Sequence, residues 1–427
     1  MTENLAKTEP YNFWKSTPFL GVERKEYVEQ LIQYQNTRLI KVLVGQRRVG
    51  KSYILRQYIN NLIQNGVNPK NTLYINKEYT DFDFIEKYQD LDKFIKKYIK
   101  ELKVKGKVYL FIDEIQRIDK WEKLINSLSQ DYTKEIEIFI TGSNSDMLSS
   151  ELSTLLSGRY VQFLILPLSF NEFTTFTKEE SNRANYIKYL QTGALPELLH
   201  LPNEDTKRHY LGALRDTILL RDIVQRYQIK DTNLLLDIFS YLVNNTSNLF
   251  TINNLINFFK SKNRKTNYET LSNYINYILQ TYVVHKCERY DIKGKETVAG
   301  NSKYYINDLS FKNLLYPGFS HGYGFLLENL VFLELLRYGY TPYVGIMRNK
   351  EVDFIALKNG KPLYIQVSFS LTEVETIDRE YAPLLSIKDN YEKWVVSMDE
   401  IALPERKGIK NIQAWKLSEE LKKLDQS

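Results

Sequence analysis

One eight-residue stretch combines the residue types that bind phosphate. Residues 45–52 read Gly-Gln-Arg-Arg-Val-Gly-Lys-Ser, the pattern G-x-x-x-x-G-K-S, and they directly follow the apolar run 39–44. In this pattern the glycines let successive backbone N–H groups point at phosphate oxygens, the lysine reaches the terminal phosphates, and the serine hydroxyl ligates Mg²⁺. The sequence therefore predicts a strand, a phosphate-binding loop and a helix that begins at Lys51, whose dipole adds positive charge at the loop.

A second apolar run, residues 108–112, ends in the carboxylates Asp113 and Glu114. A buried strand that ends in two acidic residues is typical of the partner of a phosphate-binding loop. We expect Asp113 to hold Mg²⁺ through water and Glu114 to orient or deprotonate the attacking water. The alternative is an ordinary acidic turn between a strand and a helix.

A third apolar run, residues 136–140, is followed by Thr141, Gly142, Ser143 and Asn144. Polar groups at the end of such a strand are suited to sense the γ-phosphate, although the same residue types are common in loops. We predict ATP and Mg²⁺ as the cofactors. The catalytic residues would be Lys51 and Glu114, and the metal would lie at Ser52 and Asp113. The predicted nucleotide contacts are Gly45, Gln46, Arg47, Arg48, Val49, Gly50, Lys51, Ser52, Tyr53, Asp113 and Asn144.

Short blocks along the chain resemble those of prokaryotic AAA+-type ATPases that carry a C-terminal domain of unknown function. In the first half these blocks are 43–52, 112–116 with Trp121, 141–143, 157–160 and 166–170. Later blocks are 193–197, 221–224, 270–274, 303–308 and 328–335, so the resemblance covers nearly the whole chain. The resemblance implies a homo-oligomer in which an arginine from a neighbouring subunit completes the site. Arg159 matches that arginine by position, and the alternative is a surface arginine at the start of a strand.

Composition limits the class of protein. The 427 residues are 43% hydrophobic and 26% charged, which is typical of a globular protein of several domains. The single cysteine excludes an internal disulfide framework, and no apolar stretch approaches the ~20 residues of a membrane helix, so we expect a cytoplasmic protein without a membrane partner. The net charge of +6 is too small to decide whether nucleic acid binds.

The periodicity of apolar residues divides the chain. We expect an α/β protein: a P-loop AAA+-type ATPase with a helical lid, a winged-helix domain and a restriction-endonuclease-like, PD-(D/E)xK, α/β domain. The boundaries lie where turn residues interrupt the periodic segments, near Pro167, near residues 230–231 and near residues 316–318. The predicted parts are an N-terminal arm (1–30), the P-loop ATPase core (31–167), the helical lid (168–231), the winged helix (232–310) and the PD-(D/E)xK-like domain (311–427).

The predicted winged helix has three short helices, at 234–243, 252–259 and 271–279, followed by two alternating runs that form a hairpin. Its third helix would enter the major groove of DNA. The expected phosphate contacts are Lys260, Lys262, Arg264, Lys265, Lys293 and Lys295. Winged helices also serve as protein-packing modules, so this interpretation rests on analogy between folds.

The last segment orders its helices and strands as a restriction-endonuclease-like domain does. Glu328, Asp353 and Gln366 match its three metal-ligand positions, which makes a possible, degenerate nuclease-like metal site. Ser368 stands where a catalytic lysine belongs, and a neutral glutamine holds Mg²⁺ less well than a carboxylate does. We therefore expect a retired nuclease, unless Lys350, Lys358 or Lys361 supplies the missing charge.

These observations predict ATP hydrolysis coupled to binding or remodelling of DNA, either duplex or branched, with host defence as one setting. Two alternatives remain open at this point. One is a nucleotide-driven signalling switch that binds a protein partner, and the other is an ATP-gated, metal-dependent nuclease.

Overall fold

The computed structural model describes residues 3–144, 156, 158–317, 322–347 and 350–426. Ser157, in the block 157–160, and Gly318, at a predicted boundary, lie outside the described residues. The chain forms two compact units, Met1–Ile165 and Leu166–Ser427. The junction lies within two residues of the predicted turn at Pro167.

A parallel sheet forms the centre of the first unit. Its five described strands lie in the order β2-β3-β4-β1-β5, and each pairs in parallel with its neighbours. The two sheet faces are buried, which explains why β1 to β4 are mostly apolar rather than alternating. Lys41 on β1 and Glu137 on β4 are exceptions, and they form a buried ion pair at 2.6 Å. The strands are β1 (Ile40–Val44), β2 (Thr72–Asn76), β3 (Val108–Asp113), β4 (Ile136–Gly142) and β5 (Tyr160–Leu164).

Helices cover this sheet. On α4 the buried residues Leu91, Phe94, Ile95 and Tyr98 recur three and four positions apart, which is the period of one helix face. Between the strands, the rings of Phe111 and Phe139 stack with centroids 4.6 Å apart. The helices are α1 (Glu3–Thr8), α2 (Lys25–Gln33), α3 (Lys51–Gln64), α4 (Tyr88–Glu101) and α5 (Trp121–Gln130).

The residues predicted as an N-terminal arm are packed into the first unit. The Asn12 side-chain amide donates to the carbonyl oxygen of Tyr74 at 3.1 Å and its oxygen accepts from the Tyr74 N–H at 2.7 Å. Trp14 donates its indole N–H to the Thr72 carbonyl oxygen at 2.8 Å. These bonds use backbone groups at the edge strand β2, so the arm protects an edge that would otherwise be exposed.

The second unit begins with helices. Ser169, Asn182 and Asn203 each cap a helix by accepting a hydrogen bond from a backbone N–H of the first turn. The helices are α6 (Phe170–Thr177), α7 (Arg183–Thr192) and α8 (Glu204–Asp216), and α8 continues through a wider turn at Thr217–Val224 to Gln225–Tyr227. Helical structure in this region is confirmed, whereas its role as a lid stays a prediction.

Three helices and a hairpin follow in the predicted order. They are α9 (Thr232–Asn244), α10 (Ile252–Ser261) and α11 (Tyr268–Gln280), with the short strand β6 (Leu249–Phe250) before α10 and the hairpin β7 (Val284–Asp291) and β8 (Glu296–Ile306) after α11. The last part comprises α12 (Tyr323–Arg337), β9 (Thr341–Met347), β10 (Lys350–Lys358), β11 (Lys361–Ser368), α13 (Val374–Leu385), β12 (Lys393–Ser397), β13 (Ile409–Gln413) and α14 (Leu417–Gln426).

One mixed sheet runs through the second unit. Its described strands lie in the order β13-β12-β11-β10-β9-β7-β8-β6, and β7 pairs in parallel with β9, where Arg289 lies opposite Val344. The sheet therefore continues across the predicted boundary at residues 310 and 311. The division into a winged helix and a PD-(D/E)xK-like domain stays a prediction. Within the described ranges, no helix combines the length and the apolar character that crossing a membrane requires.

Candidate active site

The phosphate-binding loop joins β1 to α3, as the sequence predicts. Gly45 has φ +146°, and a Cβ added there would lie 2.2 Å from the carbonyl oxygen of Ile165, so a side chain is excluded by both backbone conformation and contact. Gly50 has φ +97° and is the N-cap residue of α3. Both glycines of the motif are therefore required by the shape of the loop.

Lys51 is the first residue of α3, and its side chain turns back into the loop. Its Nζ donates to the carbonyl oxygens of Gly45 at 2.9 Å and Gln46 at 3.1 Å. Burial lowers the pKa of this ammonium, while the charges of Glu114 and Asp113 raise it. The ammonium therefore donates to neutral carbonyl oxygens, and the nearby carboxylates do not pair with it. It is available to bind an anion.

Asp113 ends β3 and is 1% exposed. Its Oδ2 accepts from the Tyr74 hydroxyl at 2.8 Å and from the Asn76 amide at 3.2 Å, and its Oδ1 accepts from the Thr141 hydroxyl. The hydroxyl of Ser52 also bonds to this carboxylate. Burial and the charge of Glu114 raise the pKa of Asp113, whereas the hydrogen bonds from Ser52, Thr141 and Tyr74 lower it. Ser52 and Asp113, the two predicted metal positions, therefore lie in contact.

Glu114 follows Asp113 in a left-handed backbone conformation, with φ +55°, which is uncommon for a residue other than glycine. Its N–H donates to Thr141 Oγ1 at 3.0 Å. Its Oε2 accepts from the Gln116 amide at 2.5 Å and from the Ser143 hydroxyl at 3.3 Å. The carboxylate is therefore oriented by two neutral donors.

The sheet order explains why these groups meet. Strand β4 lies between β1 and β3, so its polar end places Thr141 and Ser143 beside Asp113 and Glu114. Asn144, predicted near the γ-phosphate, is buried and is the last described residue before the gap at 145–155. The sensor role stays a prediction for Asn144, while its neighbours Thr141 and Ser143 contact Asp113 and Glu114.

The remaining loop residues differ in exposure. Gln46 and Val49 are buried, Arg48 is exposed with φ +68°, and Tyr53 is 38% exposed. Arg47 lies 3.5 Å from Glu78, which also accepts from Arg117 Nη2 at 2.9 Å. Two guanidinium groups therefore share one carboxylate at the rim of the loop.

Arg159, predicted to act on a neighbouring subunit, is exposed just before β5. Its Nη1 lies 3.3 Å from Oδ1 of Asn126 on α5, and its carbonyl oxygen accepts from the N–H of Ile40. The backbone thus fixes its position beside β1 while the guanidinium stays accessible.

The C-terminal candidates Glu328 and Asp353 come together, but around a lysine. Lys303, on β8, places its Nζ 2.9 Å from Glu328, 2.9 Å from Glu351 and 3.8 Å from Asp353. Tyr305 also donates its hydroxyl to Glu328 Oε1 at 2.7 Å. Burial lowers the pKa of Lys303, but the three carboxylates raise it by more, so the lysine stays charged. We call Lys303, Glu328, Glu351 and Asp353 the carboxylate cluster.

Gln366, the third predicted metal ligand, is used elsewhere. Its Oε1 accepts from the Asp353 N–H at 3.2 Å, and its Nε2 donates to Glu380 Oε2 at 3.1 Å. Ser368 donates to the Ser370 carbonyl oxygen at 3.0 Å. Among the described residues, no group of three or more His, Cys, Asp and Glu side chains could hold a metal ion. The degenerate metal site predicted at Glu328, Asp353 and Gln366 stays a prediction: in this structure Lys303 Nζ lies beside the two carboxylates, and the Gln366 amide bonds to Asp353 and Glu380.

Three further predictions need correction or completion. Arg264 does not face outward for a phosphate contact, because it bonds to Asp231 at 2.7 Å and to Asp237. The lysine that contacts the predicted carboxylates is Lys303, whereas Lys358, one of the three lysines considered for the missing charge, donates to the carbonyl oxygen of Tyr338. Sequence reasoning also missed Tyr74, Asn76 and Gln116, although the run at residues 72–76, apolar and ending in Asn76, carries the same signal as the other strands.

The parallel sheet, the loop and the two carboxylates define a P-loop fold. The family model described as an AAA domain matches residues 37–174, and a domain of unknown function, DUF8612, matches residues 183–319. Proteins of this class generally bind ATP with Mg²⁺.

Two relatives are similar over most of their length. An uncharacterized protein of Haemophilus influenzae is 37% identical over 88% of this chain and 93% of its own, and one of Methanocaldococcus jannaschii is 33% identical over 82% and 79%. The chain therefore belongs to the same family as these two proteins, with an AAA domain followed by DUF8612. Among solved structures, a Walker-type ATPase of Pyrococcus abyssi overlaps with a TM-score of 0.44 at 15% identity, over 69% of this chain and 95% of its own.

Proposed function

We propose that the protein hydrolyses ATP at the P-loop site. The observation that carries this proposal is the meeting of Lys51, on the helix that follows β1, with Asp113 and Glu114 at the carboxyl end of β3. Each of the three is buried, yet Lys51 pairs with no described carboxylate. A buried cation beside a hydroxyl-bonded carboxylate and an oriented glutamate is the set of groups that phosphoryl transfer to water requires.

The residues present fit Mg²⁺ and ATP. Ser52 and Asp113, already in contact, would hold the metal, which when bound neutralises charge on the phosphate oxygens. Thr141 and Ser143 hold Asp113 and Glu114 at their places, and Gln116 fixes the Glu114 carboxylate by a 2.5 Å hydrogen bond. Glu114 then orients and deprotonates the attacking water.

We propose in addition that hydrolysis is coupled to binding or remodelling of DNA through helices α10 and α11 and the hairpin. The support is the exposed surface of this segment. Six lysines are exposed there against three exposed acids: Lys260, Lys262, Lys265, Lys286, Lys293 and Lys295 against Glu269, Glu288 and Glu296. Tyr268 is 58% exposed at the start of α11. Cations beside an aromatic ring are suited to nucleic acid, because they release counterions from phosphates while the ring stacks on a base.

The test is the ATP hydrolysis rate with single-stranded, duplex and four-way-junction DNA. We expect stimulation by at least one of these, with affinity that falls as salt rises. The double variant Lys262→Glu, Lys265→Glu should lose stimulation and keep the basal rate. Lys407→Glu is the matched control, because Lys407 is exposed next to β13, at the opposite end of the sheet. A rate unaffected by every DNA would leave the signalling switch as the better hypothesis.

We propose further that the active form is a homo-oligomer in which Arg159 acts on the neighbour's ATP. Its exposed guanidinium, held beside β1, supports this role. Arg159→Ala should keep ATP affinity and slow hydrolysis by up to ~10³-fold. Mixing it with Lys51→Ala protein should restore activity at hybrid interfaces. A monomeric mass in native mass spectrometry, together with full activity, would contradict the proposal.

For the C-terminal segment we propose a restriction-endonuclease-like domain that binds DNA without cutting it. Lys303 supports this, because it supplies inside the fold the positive charge that a catalytic metal would bring. The protein should leave duplex, single-stranded and branched DNA intact with Mg²⁺ or Mn²⁺. Metal-dependent cutting that is lost in both Glu328→Ala and Asp353→Ala would contradict this proposal.

A further inference from the structure

A fully buried arginine contacts the phosphate-binding loop from outside the matched AAA domain. Arg24 is 2% exposed, and its Nη1 donates to the carbonyl oxygen of Val49 at 2.7 Å. A Cβ added at Gly50 would lie 3.7 Å from the same nitrogen. Burying a guanidinium costs free energy unless its donors are used, so this placement requires an explanation.

Helix α3 holds this arginine in position. The Gln57 side chain donates to the carbonyl oxygens of Leu20 at 2.8 Å and Val22 at 2.8 Å, and it accepts from the Arg24 N–H at 2.9 Å. The guanidinium carbon also lies 4.8 Å from the centre of the Tyr27 ring. We call residues 20–24 the strap. Because Gln57 lies on the helix that begins at Lys51, the strap and the loop are fixed to the same element.

The bond to Val49 constrains one peptide of the loop. Since a trans peptide is planar, its C=O and N–H point in opposite directions, so holding the Val49 oxygen toward Arg24 directs the Gly50 N–H away from it. Gly50 would otherwise let this peptide rotate, because it has no Cβ and already has φ +97°. A rotated peptide would present a carbonyl oxygen instead of an N–H to a bound phosphate.

We propose that Arg24 is a positioning residue that holds the peptide between Val49 and Gly50 in the orientation that presents the Gly50 N–H to the phosphates of ATP. The inference rests on the proposed ATP site. It extends the functional unit to the strap, which lies in the segment that the sequence presents as an arm, ahead of the matched AAA domain at residues 37–174.

The experiment compares Arg24→Met and Arg24→Lys with Arg38→Met in the full chain. Arg38 is the matched control, because it is exposed and stacks on Tyr132. The measurements are the Kd of ATP at a temperature far below unfolding, the KM and kcat of hydrolysis, and the unfolding temperature without nucleotide. Arg24→Met should raise Kd and KM about 10-fold or more, with kcat at saturating ATP little changed. Arg24→Lys should recover part of the affinity, and Arg38→Met should match the wild type.

Two results would overturn the inference. If Arg24→Met lowers the unfolding temperature but binds ATP with wild-type affinity, Arg24 is only structural. If Arg24→Met does not fold, Gln57→Glu provides the second variant: it keeps the acceptor for the Arg24 N–H and removes the two donors to the strap, and it should raise KM in the same direction by less. An unchanged KM in that variant also overturns the inference. A wild-type protein that binds no ATP would overturn the proposed function as well, which separates the two failures.

Discussion

Lys51 and Lys303 are both buried near carboxylates, and they differ in what holds them. Lys51, in the first unit, donates to two backbone carbonyl oxygens of its own loop, and burial lowers its pKa. Lys303, in the second unit, is 2.9 Å from both Glu328 and Glu351, and the surrounding carboxylates raise its pKa. The same residue types therefore make an available cation in one place and a neutralised one in the other.

The partners of each ammonium explain why one site can bind a ligand while the other is an internal ion pair. A buried ammonium that has only neutral partners gains when an anion arrives, so it favours a ligand. An ammonium already paired with carboxylates would lose those pairs on binding a ligand, and the carboxylates would be left uncompensated. Local composition does not distinguish the two cases, since each site has a lysine and at least two acids within reach.

The largest expected effect separates the two lysines by nucleotide binding. Lys51→Ala should abolish measurable ATP binding, because the loop loses its one buried cation. Lys303→Met should bind ATP as the wild type does. Isothermal titration calorimetry with ATP and Mg²⁺ measures the Kd of ATP for both variants. An equal loss of affinity in the two would contradict the proposed difference between the lysines.

Stability should reverse the order of the two lysines. Lys303→Met leaves Glu328 and Glu351 without their cation and should lower the free energy of unfolding by about 3–5 kcal/mol. Lys51→Met should cost less, because it removes no ion pair. Urea unfolding, with hydrogen exchange at the amides of α12 and β10 to localise the effect, measures the change. Adding Glu328→Gln to Lys303→Met should recover part of the loss, and a double variant no more stable than the single one would speak against the ion pair.

The two glutamates provide a third comparison. Glu114→Gln should keep ATP bound and lower the hydrolysis rate by about 10²-fold or more, because the positioned base is lost. Glu328→Gln, the same substitution in the carboxylate cluster, should hydrolyse ATP at the wild-type rate. Steady-state and single-turnover assays compare them. Wild-type turnover in Glu114→Gln would remove that residue from the mechanism.

The smallest effect concerns the pH dependence of stability. Burial and the charge of Glu328 raise the pKa of Asp353 from its ordinary value of 3.8 to about 8. Between those values the folded state binds more protons than the unfolded state, so this group's contribution to stability is full below pH 3.8 and is lost as pH rises toward 8. At alkaline pH the free energy of unfolding of Asp353→Asn should therefore exceed that of the wild type by at least about 1 kcal/mol.

The measurement is urea unfolding of both proteins across this pH range. Asp378→Asn is the control, since Asp378 is exposed and pairs with Arg406 on the surface. It should follow the wild-type curve. If the free energy of unfolding of Asp353→Asn changes with pH as that of the wild type does, the raised pKa of Asp353 is contradicted.

Much of the fold could be predicted because its signals are local. The apolar runs at residues 108–112 and 136–140 are strands of the first sheet, and the helices and hairpin between residues 232 and 306 lie where periodicity places them. Strand β13 and helix α14 were not predicted. The pairing of β7 with β9 could not be predicted either, since it joins residues 289 and 344 and no local pattern encodes such a pair.

The phosphate-binding loop could be predicted from the amino-acid sequence alone, because eight consecutive residues specify both its shape and its chemistry. The sequence also determined that Asp113 and Glu114 end a buried strand. The tertiary structure decided what surrounds these groups, since Asn76, Thr141 and Arg24 reach them from other elements. The tertiary structure also determined which cation the C-terminal acids Glu328 and Asp353 contact. Lys303 lies 25 residues from Glu328 in the chain, and only the folded structure brings its ammonium to these acids.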